Sequence, residues 1–376
     1  MSLAPLEDLV YVHGGEQGLR RERRKGTFVY LDKDGDAVDD PEVLERIGGL
    51  RIPPAWTQVW IAAEPNAHLQ ATGLDARGRR QYVYHPNWRP RRDEEKFRDM
   101  LDFGAALPTL RQVVHGLLDE ETPRRECTLA LAVRLLDVGF FRVGWDRYAR
   151  DNGHVGLTTL RRDNVAVGDA AARFDFVAKS GKRRRMTLAD RQSVRLLRPL
   201  TRRRCGPAEL LVFLDAGSWH RIHANDVNNA LRAWAEGPYS AKEFRTWAAT
   251  VLAAVALARE HEAGQGGRRA VSRAVREVST ALGNTPTVAR ASYIDPRVID
   301  LFEGGVVIEL PTTIAAAAVP RVTDDGADGV VIEWPTEVAG DADREAVERR
   351  VLALLDASRG IQRELAPPAA SFTDIE

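Results

Sequence analysis

The spacing of apolar residues changes character near residue 90, and that change bounds every architecture open to this chain. Before it the apolar runs are short and bounded by turn residues. Residues 27–32 (TFVYLD) read as a strand that ends in the turn Lys33-Asp34-Gly35-Asp36. Residues 59–62 and 81–84 read as further strands, the second entered through a turn at Gly78, and Pro53-Pro54 breaks the chain. Pro86 and Pro90, with the charged stretch 89–96, read as a linker. Beyond it, apolar residues recur at helical spacing over 126–136 and 241–262. One β-like patch, 173–178 and 186–188, interrupts them and is split by the polar turn 179–185. Residues 261–268 (HEAGQGGR) form a break. From Gly304, strand-like runs at 306–310 and 330–334 precede a helix over 344–355 and a Pro/Ala-rich tail. A chain of 376 residues exceeds one ordinary core. The expected fold is therefore α+β and multidomain: a β-rich domain over 1–90, a mainly α-helical domain with a small sheet over 91–303, and a short α/β extension over 304–376.

The formal net charge is zero, which at first argues against a polyanionic partner. The zero is a sum of opposites. From residue 304 onward there are 14 acidic and 6 basic residues, leaving 40 acidic and 48 basic in the first 303. The basic residues cluster at 20–25, 77–80, 89–92, 182–185 and 202–204, in runs that suit phosphate contacts, although each run alone is equally a solvated surface. The acidity of the extension is expected to keep it off the duplex; its strand- and helix-like runs favour a small folded module, one that docks on the helical domain or recruits a partner, and its removal, which leaves every candidate reactive residue in place, is expected to leave the rest working. No apolar run reaches the ~20 residues of a membrane span. The N-terminal segment MSLAPLEDLVYVHGG has no apolar signal region, so a cytoplasmic location is expected. Cys127 and Cys205 lie far apart with no CxxC pattern, and both are expected to be plain buried residues.

Four segments carry reactive side chains, each with an unremarkable alternative. Arg142 lies in FFRVGWDRY, just past an apolar helix. Lys179 lies in DFVAKSGK, at the tip of the β-like hairpin, where a solvated turn lysine is the bland reading. Lys242 and Arg245 in AKEFRTW share one face of a helix. In GNTPTVARASYIDP, Thr285-Pro286 makes a good helix start and Asp295-Pro296 a stop, placing Tyr293 in the last turn of a very short helix.

Together these segments resemble the type IB DNA topoisomerases, particularly the compact bacterial and poxvirus-type enzymes. The order Arg…Lys…Lys-x-x-Arg…Tyr and the strings FxRxGxxxY, FVxKxG, FRTW and SYIDP are similar to that family's motifs over residues 140–296. Residues 78–84 (GRRQYVY) resemble the family's GRxQYxY strand, which enters the DNA major groove. The resemblance ends near residue 303. It implies that the 1–90 domain binds DNA and that the 91–303 domain nicks one strand through a 3′-phosphotyrosyl link, lets the duplex swivel and reseals it.

The roles that the resemblance assigns are ones the chemistry requires. Tyr293 would attack the scissile phosphate and expel the 5′-hydroxyl, with Lys179 as general acid. Arg142 and Arg245 would hold the non-bridging oxygens with forked donors. The family's fifth position, nine residues before the tyrosine, is Asn284, where many relatives carry histidine; it can donate a hydrogen bond but brings no charge. Arg147, Tyr148 and Lys242 would contact DNA near the cleavage site. Gln81 could pair with an adenine edge, with Tyr82 and Tyr84 facing the duplex from the same side of a strand and Val83 facing a core. The scheme implies no cofactor and no metal, and the sequence has no Walker A motif or DxD-type carboxylate cluster. The expected partner is double-stranded DNA, met by a monomer at the nucleoid, with no membrane. A tyrosine recombinase would place His-x-x-Arg where this chain has Lys242-Glu243-Phe244-Arg245, and would begin with a helical domain. A catalytically silent DNA-binding scaffold would not retain every reactive residue type.

Overall fold

A computed structural model describes residues 9–15, 17–118, 122–181, 183–310, 319–324, 330–333 and 340–365. The chain divides into two compact units, Met1–Arg98 and Asp99–Glu376. The fold is mixed α+β, and no described helix is long and apolar enough to cross a membrane.

The first unit is a five-stranded antiparallel sheet of β1 (Gly18–Arg24), β2 (Thr27–Leu31), β3 (Thr57–Ala62), β4 (Leu69–Leu74) and β5 (Arg80–Tyr84), in the order β2-β1-β3-β4-β5. Between β2 and β3 lies helix α1 (Pro41–Gly49). Asp40 caps it by accepting from the Glu42 amide at 2.9 Å, and Pro41 supplies a preset φ at its first position. Ile47 of α1 packs with Leu19, Val59, Ile61 and Ala71, and Val83 lies against this core, as the alternation along β5 requires. β1 was hidden in a basic run. Its Arg21 donates instead to the carbonyls of Ile52, Pro53 and Trp56, holding the loop that the two prolines break.

The stretch 89–96 is not a linker. It lies within helix α2 (Trp88–Leu118), where Arg91 and Arg92 reach Glu95 and Lys96 reaches Asp93 at helical spacing. Charge density had suggested a solvated linker; the pairing three and four residues apart gives a helix.

The second unit is built around two buried helices, α3 (Arg125–Gly139) and α7 (Ala241–Glu262). In α3 every residue from Cys127 to Gly139 is buried, and in α7 the run from Phe244 to Ala258 is. Small residues in both let the helices approach closely. Ser240 and Glu243 close a reciprocal cap at the start of α7. Around them lie α4 (Asp146–Asn152), α5 (Arg191–Arg202), α6 (Ala224–Trp234), α8 (Gly267–Leu282), α9 (Pro286–Ser292) and α10 (Pro296–Glu303). A sheet holds β6 (Val165–Val167), β7 (Ala172–Val177) and β8 (Arg183–Ala189), and a separate hairpin holds β9 (Val212–Asp215) and β10 (Ser218–Arg221). Asp295-Pro296 does not end the chain's helical run. Asp295 accepts from the Arg297 amide and starts α10. Of the two cysteines, Cys127 is buried as expected and Cys205 is exposed.

Residues 306–310 form no strand, and the acidic segment packs into the second unit. β11 (Arg321–Asp324) and β12 (Val330–Glu333) complete the sheet in the order β11-β12-β8-β7-β6, with β12 parallel to β8. Helix α11 (Gly340–Leu365) buries Val347, Val351 and Leu355. It also closes a buried ion quartet. Arg111 donates to Asp137 at 3.0 Å and to Glu348 at 2.6 Å, while Arg344 donates to Asp137 at 3.0 Å and to Glu348 at 3.1 Å. Two cations facing two anions hold the Asp137 carboxyl well below the usual carboxylate range despite its burial. The acidic excess drew attention away from Arg344 and Glu348, which point inward. Trp334, Lys182 and the 366–376 tail lie outside the described residues.

Candidate active site

Arg142 leaves α3 through Phe140, a left-handed C-cap with φ 54°. The segment is fixed from both sides. The Arg142 carbonyl accepts from the Leu157 amide and the Val143 carbonyl from the Thr158 amide, each at 2.8 Å. Gly144 and Gly156 touch backbone to backbone there, and a Cβ on Gly156 would lie 2.5 Å from the Gly144 Cα. Gly144 also has φ +84°, so this crossing requires glycine on two counts.

Lys179 opens a single 3₁₀ turn, Lys179–Gly181, between β7 and β8, and is exposed. Arg245 is buried on α7. It donates to the carbonyls of Phe140 and, at 2.9 Å, of Leu282, while its Nε is buried with no partner among the described residues. Burial and the neighbouring Arg142 cation lower its pKa to about 10, which leaves it charged at neutral pH.

Tyr293 is the C-terminal cap of α9, not a residue of its last turn. Its amide donates to Ala289 and its carbonyl accepts from Thr250 Oγ1. Thr285 caps the other end through the Val288 amide. The Arg245 guanidinium carbon lies 5.1 Å from the Tyr293 ring centroid. Desolvation would raise the phenol's pKa; the nearby Arg245, Arg142 and Lys179 cations outweigh it, and the net direction is down. Arg142, Lys179, Lys242, Arg245 and Tyr293 line one cavity of about 340 Å³. Asn284 sits behind Arg142 and accepts from its Nη2 at 2.5 Å. With Oδ1 so engaged, Asn284 Nδ2 is a buried donor with no partner among the described residues.

Three neighbours were not singled out from the sequence. Trp145, 43% exposed, and His154 line the same cavity. Arg184 lies close enough for Arg142 and Arg245 to depress its own pKa. Arg184 had a readable signal, being the middle of three arginines on a strand whose alternate residues, Met186 and Leu188, face inward. His154 is one of the scattered histidines that the sequence leaves as structural or DNA-contacting, and nothing in the sequence marks Trp145.

Lys242 and Arg147 are exposed, whereas the Tyr148 side chain lies outside the described residues. In the first unit, Tyr82 and Tyr84 are 50% and 46% exposed and stack at 6.0 Å on one side of β5. Tyr84 stacks in turn on Trp88. Gln81 donates its amide to Asp75 at 2.9 Å, so its nitrogen is already engaged within the unit.

A phenol among three cations, with the buried donors Arg245 Nε and Asn284 Nδ2 left without a partner among the described residues, can exchange one phosphoester for another. Phosphoryl transfer to a tyrosine is thus the class of chemistry that this site can support. The family described as eukaryotic DNA topoisomerase I, catalytic core, matches residues 85–299, more than half of the chain, and the bacterial DNA topoisomerase IB N-terminal domain matches residues 27–75. The chain belongs to the type IB DNA topoisomerases. It is 27% identical over 297 residues to the DNA topoisomerase 1B of Acanthamoeba polyphaga mimivirus, covering 76% of this chain and 88% of the viral one. It is 23% identical over 292 residues to the DNA topoisomerase 1 of Rabbit fibroma virus, covering 73% and 88%. The vaccinia virus (strain Copenhagen) DNA topoisomerase 1B matches at 23% over 145 residues, 38% of this chain and 46% of that protein.

Proposed function

We propose that this topoisomerase relaxes supercoiled duplex DNA without ATP or a divalent metal, by opening one strand through a 3′-phosphotyrosyl bond to Tyr293, allowing rotation and resealing. It acts as a monomer in the cytoplasm, at the nucleoid. The observation that carries this reading is the Tyr293 phenol, its pKa lowered, in one cavity with Arg142, Lys179 and Arg245. The phenol first gives its proton to solvent; the tyrosinate oxygen then attacks phosphorus and the bond to the 5′-oxygen breaks. Lys179 delivers a proton to that oxygen, and Arg142, Arg245 and the Asn284 amide hold the non-bridging oxygens. Resealing runs the same steps backward, with the 5′-hydroxyl as nucleophile and tyrosinate as leaving group. Tyr82, Tyr84 and Gln81 of the first unit, with Arg147, Tyr148 and Lys242, contact the duplex; Gln81 must release Asp75 to read a base.

The deciding experiment incubates supercoiled plasmid with the protein in excess EDTA and no nucleotide, then maps the residue joined to DNA after denaturation. Relaxed topoisomers with the label on Tyr293 are expected. Recombinant or junction products, or a gel shift without relaxation, would exclude this mechanism.

The proton donor can be isolated with a 5′-bridging phosphorothiolate, whose thiolate leaves without help. Lys179→Ala should cleave ordinary DNA about 10²–10⁴-fold more slowly and recover most of that loss on the sulfur substrate. Arg245→Ala should not recover, because its defect lies in charge on the non-bridging oxygens. Equal recovery by both variants would refute the division of roles.

A lowered phenol pKa means more tyrosinate at a given pH. Single-turnover cleavage should therefore rise with pH and level off below the ordinary tyrosine value of ~10. In Arg245→Gln, which removes the first-ranked cation acting on the phenol, the plateau should move to higher pH. A plateau that stays in place would mean that Arg245 does not set the nucleophile's ionisation.

A further inference from the structure

The C-terminal end of α8 is closed by a complete set of bonds, and one of them comes from a residue with no role so far. The Gly283 amide returns to the Thr280 carbonyl at 3.1 Å and the Asn284 amide to Ser279 at 2.9 Å. That leaves the next two carbonyls, Ala281 and Leu282, for side chains. Arg245 takes Leu282 at 2.9 Å, and Arg184 takes Ala281 at 2.8 Å. Two cations thus sit on the negative end of the helix dipole. Gly283 has φ +62°, and a Cβ there would fall 2.0 Å from Arg184 Nη1, so the guanidinium occupies the space beside this backbone.

Strand register explains how an arginine arrives there. Arg184 pairs with Phe176, Met186 with Phe174 and Leu188 with Ala172, and every partner in these pairs except Arg184 is buried and apolar. Arg183 and Arg185 take the opposite face and both reach Asp175. The inward position of β8 therefore holds a cation where the pleat calls for an apolar side chain. Its charge is met by a helix end, with no ion pair to a carboxylate among the described residues. Burial, with Arg245 and Arg142 nearby, lowers its pKa to about 9.

The position matters because of what lies on either side. Five residues before Arg184 is Lys179, on the turn that leads into β8. Immediately after Gly283 is Asn284, bonded to Arg142, and then Thr285 caps the short helix that ends at Tyr293. We infer that Arg184 is a positioning residue that pins the α8–α9 joint to the Lys179 hairpin, fixing where Asn284 and Tyr293 stand relative to the proton donor. The inference rests on the reading of Tyr293 as nucleophile. Arg184 acts through the joint, without touching the reacting atoms.

The test compares Arg184→Met and Arg184→Gln with the full-length protein. Three quantities are followed: the rate of covalent adduct formation on a labelled duplex, duplex affinity, and the thermal midpoint. A displaced nucleophile predicts a rate about 10–100-fold lower in folded Arg184→Met, with affinity changed by no more than about 3-fold. The sulfur-bridged substrate should not restore it, because the leaving group is not at fault. Arg184→Met combined with Asn284→Ala should lose less than the product of the two single losses, since part of the Arg184 effect is exerted through the position of Asn284. Should Arg184→Met fail to fold, Arg184→Gln, whose side chain is two bonds too short to span to Ala281 and carries no charge, is judged by the same criteria. A folded variant with the wild-type rate, rescue by the sulfur substrate, additive losses, a defect confined to affinity, or collapse of both variants would each overturn the inference. Tyr293→Phe tests the underlying reading separately. If that variant is inactive while Arg184→Met is normal, only the role of Arg184 falls.

Discussion

Tyr293→Phe should bind duplex DNA as the parent does, yet form no covalent adduct and lose relaxation by about four orders of magnitude or more, as expected when a nucleophile is deleted. The substitution removes one oxygen and keeps the ring. The cap at the end of α9 is made by backbone groups, with the Tyr293 amide on Ala289 and its carbonyl on Thr250, so the local fold persists. The Arg245 contact to the ring face also persists, and the thermal midpoint should stay within about 2–4 °C. Denaturant-resistant complexes on an end-labelled duplex provide the measurement. Adduct at the parental level would show that another residue attacks the phosphate.

Much of this site was legible because its parts sit at local punctuation. Thr285-Pro286 announces a helix start, and counting forward from it places Tyr293 at the helix end. The polar turn between two apolar runs places Lys179 at a hairpin tip. Arg142 and Arg245 were found through motif order, but nothing local shows that Arg245 is buried or that it spans from Phe140 to Leu282, because those partners are set by tertiary packing. Three of the errors in the fold come from how charged residues were read. In β1, Arg21 serves backbone carbonyls. In α2 the charges neutralise one another along the helix. In α11, Arg344 and Glu348 are buried partners of Arg111 and Asp137. Composition counts charges, whereas the fold depends on which face each occupies.

The second large effect follows from that last group. Removing residues 305–376 should leave a protein that does not fold its second unit and forms no adduct. The truncation strips β12 from β8, exposing the strand that follows the Lys179 turn. It also removes the fully buried Ile332, Val347, Val351 and Leu355. Four such side chains, at roughly 1.5–3 kcal/mol each, approach the whole net stability of an ordinary domain, about 5–15 kcal/mol. Arg111 and Asp137 would keep each other but lose the second half of the quartet in a dry environment. The milder Glu348→Ala leaves Arg111 and Arg344 sharing one carboxylate and should cost about 3–5 kcal/mol. Urea titration of both proteins, with adduct formation measured alongside, checks the pair. A soluble 1–304 fragment that relaxes plasmid at the parental rate would show the C-terminal segment to be dispensable.

The fastening of Arg245 has a further consequence for turnover. A cation in water must shed part of its hydration before it can grip a phosphate, and that work falls within every catalytic cycle. Arg245 has already done so: its guanidinium is buried, held by two carbonyls, and its buried Nε has no acceptor among the described residues. Dehydration of this charge occurred once, when the chain folded. Under the proposed mechanism, a phosphate entering the cavity would meet a cation that has already shed its solvent. The reorganisation that would otherwise slow each nick and each resealing was completed during the protein's synthesis.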